Sequence, residues 1–71
     1  MNMGFEEVRN EARTVELSGL VLRGTTSAIL FSDGINEEWI PRSRVLAIES
    51  SPGGLVDILI PEWLAIQKGF V

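Results

Sequence analysis

The chain has neither cysteine nor histidine. No disulfide can staple it and the ligands of an ordinary zinc site are missing, so its stability must come from packing or oligomerisation. The two side chains best suited to nucleophilic and acid–base work near neutral pH are also gone. Carboxylates and Lys68 alone remain for such a task. Tyrosine is absent and aromatics make up 7% of the residues. Long apolar runs are missing as well: stretches such as Leu20 to Leu22 and Ala28 to Phe31 fall far short of the roughly 20 residues that span a bilayer. No charged start leads into an apolar signal region. The expectation is a soluble cytosolic protein, and the lack of cysteine fits a reducing compartment. An excess of basic residues is lacking too. Six Lys plus Arg face ten Asp plus Glu, a formal charge of −4. That balance works against non-specific binding to a duplex, which runs on phosphate neutralisation, although it leaves room for a local basic patch.

Seventy-one residues make one domain, and a domain of this size buries only about 60% of the surface its unfolded chain exposes. Apolar residues nevertheless account for 45% of the chain, with a mean hydropathy of +0.21. Either part of this apolar surface ends at an interface with copies or a partner, or the core is aliphatic and dense. Composition weighs the two evenly.

The centre of the chain is Ala28 to Ser43, AILFSDGINEEWIPRS, in which Asp33-Gly34 separates two apolar runs. This pattern predicts a β-hairpin, because the turn needs positive φ and Asp and Gly tolerate it. Two registers compete. A two-residue loop sets Phe31 opposite Asn36 and Ala28 opposite Trp39. A three-residue loop sets Phe31 opposite Ile35 and gathers Ile29, Phe31, Ile35 and Trp39 on one face. The register that collects apolar side chains is the favoured one, since a one-residue slip exchanges the faces of a strand. Glu37 and Glu38 are adjacent, so one of them turns toward the more buried face unless the strand bulges or lies at an edge.

Residues 1–12 read as a flexible or weakly helical segment, with Phe5, Val8 and Ala12 at roughly helical spacing; residues 13–71 read as the single small domain. From Arg13 to Arg23, apolar and polar residues alternate until Gly19, which predicts a strand bent at that glycine. Gly24-Thr25-Thr26 turns the chain into the central hairpin. After Pro41, Arg42 to Arg44 is a short turn. Val45 to Ser50 reads as a strand or a helical turn, and its β-branched residues favour the strand. Ser50 to Gly54 is a break. Leu55 to Ile60 is a fifth strand. Pro61 suits the first turn of a helix and Glu62 its positive end, while Gly69 suits a left-handed cap with Phe70 beyond it. The prediction is a helix from Pro61 to Lys68 that packs Trp63 and Ile66 on the sheet. The fold class is therefore α+β: a small curved antiparallel sheet of four or five strands, in one form an SH3-like partly open barrel, with one C-terminal helix.

The blocks Trp39-Ile40-Pro41-Arg42-Ser43 and Ile60-Pro61-Glu62-Trp63-Leu64-Ala65, followed by Lys68-Gly69, resemble a widespread set of small phage and prophage proteins, over roughly Thr26 to Val71. The set carries no established activity. The resemblance implies a mobile-element accessory protein working in the cytoplasm of a bacterial host, where small acidic proteins of this kind inhibit host defence or assist replication and recombination.

Three functional classes follow. Catalysis would need a carboxylate pair or a hard cation held by Asp57 with Glu49 or Glu62, but isolated acids at such spacings are far more often simply solvated; neither an enzyme nor a cofactor or metal site is expected. Single-stranded nucleic-acid binding by a small barrel would use Trp39 for stacking and Arg42 and Arg44 for the backbone, with Arg23 as a further nearby cation, although a Trp on the apolar face of a hairpin is more often core and Arg42 and Arg44 also flank a turn. Protein binding accommodates more of the chain. A small acidic domain with surplus apolar surface fits a basic groove on another protein, with Glu6, Glu7, Glu11, Glu37 and Glu38 standing in for phosphates. The favoured expectation is a non-enzymatic, anti-CRISPR-like inhibitor or modulator of a host nucleic-acid-processing or defence complex. Its candidate partner-binding residues are Glu37, Glu38, Trp39, Arg42 and Arg44. Homo-oligomerisation is open, nucleic acid is the alternative partner, and no membrane is involved.

Overall fold

Alternation of aliphatic and polar residues from Thr14 onward produces the longest strand, β1 (Thr14–Gly24), in a computed structural model that describes residues 13–71. The expected flexible or weakly helical segment 1–12, with Glu6, Glu7 and Glu11, lies outside the described residues. Four further strands follow: β2 (Ala28–Ser32), β3 (Glu37–Pro41), β4 (Ala47–Ser50) and β5 (Val56–Pro61). A single turn of 3-10 helix at Arg42–Arg44 joins β3 to β4, another at Pro52–Gly54 joins β4 to β5, and helix α1 (Glu62–Gln67) follows β5 without a loop. All neighbours are antiparallel in the order β3-β2-β1-β5-β4. The sheet is open, with β3 and β4 as its edges.

β1 serves two half-sheets in turn. Thr14 to Gly19 pair with β5, and Leu20 to Gly24 pair with β2. Gly19 stands at the handover, buried, where the backbone of β2 comes so close that no side chain fits. A register shift between Val21 and Arg23 adds one residue, Leu22, just beyond it. Both features bend the strand, as the alternation broken at Gly19 predicts.

Inward residues of both half-sheets meet in one core. Ile29, Phe31 and Ile40 come from β2 and β3, Ile58 and Ile60 from β5, Leu64 and Ala65 from α1; Val15, Leu17, Val45, Val56 and Phe70 pack around them. Each fully buried Ile or Phe here contributes about 1.5–3 kcal/mol of transfer free energy. Because a single cluster takes side chains from both halves, the sheet wraps around it and its other face is convex.

The helix starts where Pro61, the last residue of β5 and its N-cap, can no longer donate to the ladder, and Glu62 N–H donates to the Arg13 carbonyl at 2.8 Å. Its end is a Schellman cap. Phe70 N–H donates to the Ala65 carbonyl at 2.9 Å and Gly69 N–H to Ile66 at 3.1 Å, with Gly69 at φ 82°. The cap follows the sequence expectation, but the buried side of the helix does not. Leu64 and Ala65 enter the core, whereas Trp63 and Ile66 are exposed. At 3.6 residues per turn, Trp63 and Ile66 lie on the side of the helix opposite Leu64 and Ala65, so burying the second pair exposes the first, and Phe70 packs against the core beyond the cap.

The hairpin exists in a third register. Ile29 faces Ile40, Leu30 faces Trp39 and Phe31 faces Glu38, so the apolar set gathers as Ile29, Phe31 and Ile40. Ile35 is 90% exposed at the tip. The reason lies in Asp33, whose carboxylate accepts the N–H groups of Ile35 and Asn36 at 2.9 and 2.8 Å. Asp33 thus opens the loop with its side chain instead of occupying a central turn position, and only Gly34 takes a positive φ, of 98°.

Candidate functional site

Register assigns every strand residue to one of two faces. On the convex face the rows read Glu49, Asp57, Ser18; Ala47, Leu59, Glu16; Leu20, Ser32, Glu37; and Arg23, Leu30, Trp39. Helix α1 and the core cluster lie on the other face.

The five sequence-predicted residues do not form one site. Glu37 and Trp39 share the convex face of the edge strand β3, and Trp39 keeps 41% of its surface exposed. The expectation that Trp39 belongs to the core fails for the same reason as the register: it pairs with Leu30 rather than lying beside Phe31. Glu38 points to the opposite, core-side face, opposite Phe31, where its Oε1 lies 4.0 Å from Lys68 Nζ. The adjacent-glutamate problem is thereby solved at an edge strand, with a cation from behind α1 beside the inward carboxylate.

The two arginines act within the fold. Arg42 Nε donates to the Thr25 carbonyl at 2.8 Å while the Arg42 N–H donates to Ser27 at 2.8 Å, so this residue clamps the turn between β1 and β2. The Arg44 guanidinium carbon stands 5.4 Å from the centre of the Trp63 ring, a cation–π contact. Arg23, the third arginine near the hairpin, lies on the convex face in the row of Leu30 and Trp39.

Asp57 meets Glu49 directly across the β4–β5 pair. Its two oxygens accept separate hydroxyls, Oδ1 from Ser18 and Oδ2 from Ser51 at 3.1 Å. Glu62 is elsewhere, at the head of α1, 3.9 Å from Arg13. Among the described residues no three acidic groups converge as metal ligands. No described helix is long and apolar enough to cross a membrane.

Sequence reasoning missed Glu16, Leu20 and Glu49 as members of the same face as Trp39. Only the pairing partners of β1 reveal it, since these residues are far apart in the chain and each alone reads as an ordinary solvated position. Comparison of the chain with protein-family models, with curated proteins and with solved structures gave no match.

Proposed function

We infer that this chain is a non-enzymatic binding protein whose partner is another protein, and that it acts as an accessory factor of the phage type, inhibiting or modulating a host nucleic-acid-processing or defence complex. The observation that carries the inference is the position of Trp39. A large aromatic side chain stands half-exposed on the edge strand β3, with Glu37 beside it, while Arg42 donates to the Thr25 carbonyl, Arg44 lies over Trp63, and Arg23 is the one arginine in the row of Trp39. Exposed Trp next to carboxylate suits a protein interface, where Trp dominates hot spots and charge steers association. The formal charge of −4 points the same way.

The test is affinity capture from bacterial lysates with the tagged chain as bait, with and without nuclease. A protein complex recovered under both conditions supports the function. Recovery of nucleic acid alone, or of proteins only while nucleic acid is intact, replaces it with single-strand binding by a small β-sheet domain.

A further inference from the structure

We propose that the convex face of the sheet is the docking surface and that its occupant is the concave, basic, nucleic-acid-binding groove of a folded protein. This rests on the protein-binding function above and specifies its surface and partner.

The face has no neighbour within the described residues, because the helix and core occupy the other side. Its apolar centre is Leu20, 43% exposed, with Leu30 and Trp39 in the adjoining row and the extra bulge residue Leu22, 45% exposed, beside them. Carboxylates border that centre on two sides. Glu37 lies on the β3 edge. Toward β4, Glu49 stands directly opposite Asp57, and Glu16 is diagonal to Asp57 across the β1–β5 pair, at the roughly 7–8 Å of such neighbours. Arg23 is the only cation in these rows.

Directly opposed like charges destabilise a sheet, and the two serine hydroxyls on Asp57 bring it no positive charge. A cation from outside relieves the Glu49–Asp57 repulsion. A second copy offers the same acidic border and would double it, and a nucleic acid would add phosphates to it. A basic protein surface offers the complementary sign. Shape selects among such surfaces, for a sheet that wraps its core presents a convex face, which a groove can enclose. Grooves that combine cationic walls with apolar or aromatic platforms are those that hold nucleic-acid strands; Glu37 beside Trp39 offers such a groove acid and ring together, and Glu16, Asp57 and Glu49 continue the acid toward the opposite edge of the sheet.

The experiment uses the protein captured by the full-length chain from nuclease-treated bacterial lysate, purified and rebound. Four baits are compared: the natural chain, Glu16→Gln with Glu49→Gln, Trp39→Ser, and Ile66→Lys with Gln67→Lys on the exposed side of α1, which changes net charge as much as the double glutamine variant. Circular dichroism verifies that each is folded. The expected result is binding weakened by about tenfold or more for the two convex-face baits, little change for the helix bait, and displacement of the chain from its partner by a short DNA or RNA strand. Unchanged binding by the convex-face baits overturns the surface and leaves the protein-binding function standing. Loss at this face without nucleic-acid competition overturns the groove. Capture of no protein at all overturns both the inference and the function on which it rests.

Discussion

Gly19 lies against the carbonyl of Ser32 so closely that a Cβ on residue 19 would stand 2.0 Å from that oxygen and 2.9 Å from the Phe31 ring. The obstacle is backbone and a fully buried ring, neither of which can swing aside as the end of a long side chain does. Gly19→Ala is therefore expected to cost about 3 kcal/mol or more, the upper range of overpacking, which for a domain this small lowers Tm by roughly 10 °C or more. Thermal unfolding followed by circular dichroism measures it, and a Tm within a few degrees of the natural chain would contradict the close approach.

The corrected hairpin register sets Trp39 and Ile40 on opposite faces. Ile40 is wholly buried, so Ile40→Ala should cost about 2–5 kcal/mol, the sum of lost transfer energy and a cavity. Trp39→Ser should cost about 1 kcal/mol or less, because what is lost is one cross-strand contact with Leu30. Urea unfolding of both variants decides the register. A larger penalty at Trp39 than at Ile40 would restore Trp39 to the core.

That register was the least legible feature of the sequence, for a physical reason. Asp-Gly announces a hairpin through its tolerance of positive φ, and a hairpin is there. But an aspartate can also shape a loop through its side chain, and only the three-dimensional loop distinguishes the two uses. Gathering apolar residues on one face then misled, because Ile35 counted as core although it belongs to the tip. The bend at Gly19, the turn at Arg42, the strand after it and the glycine cap at Gly69 were all legible, since each rests on a local rule. The convex face was not: Glu16, Leu20, Glu49 and Trp39 come to share one face only through β1 serving two half-sheets.

Asp33 gives the hairpin a pH dependence whose sign is fixed. The N–H groups of Asn36 and then Ile35 hold its carboxyl below the usual aspartate value. A folded-state pKa below the unfolded one stabilises the fold at pH values above the unfolded pKa, and this contribution disappears as pH falls through the folded value. Asp33→Ala should therefore be less stable than the natural chain at neutral pH. The difference should narrow as the pH drops below about 4. Urea midpoints of the two proteins across that range check it; a constant gap would mean that the carboxylate charge plays no part in the loop.

Arg42 is expected to matter for stability and not for contact with nucleic acid. Its guanidinium reaches across the turn to the Thr25 carbonyl, and losing one such exposed hydrogen bond costs about 1 kcal/mol. Arg42→Ala should lower the urea midpoint accordingly, while Arg42→Lys should recover little, since an ammonium does not reproduce the directed Nε donor. Electrophoretic shifts with single-stranded DNA at low salt are the second measurement. A shift with the natural chain that Arg42→Ala abolishes would return this residue to a binding site.

The last turn of the chain ties the hairpin to the helix. The Asn36 side-chain amide donates to the Gly69 carbonyl at 2.8 Å, and the Phe70 ring meets Phe31 edge-on with centroids 5.7 Å apart and planes at 73°. A helix of six residues is far too short to hold itself together in water, so its place depends on this cap and on the two side chains it buries. Phe70→Ala should cost about 2 kcal/mol, from a pair contact of roughly 0.5–1.5 kcal/mol together with the apolar area it covers. Gly69→Ala should cost about 1 kcal/mol, because φ of 82° strains any residue with a Cβ. The two effects share one structure: once Phe70 no longer anchors the cap, residue 69 is free to leave the left-handed region, and the double variant should be less destabilised than the sum of the single ones. Urea unfolding of all three proteins measures that coupling, and strict additivity would mean that Phe70 packs on Phe31 without the help of the cap.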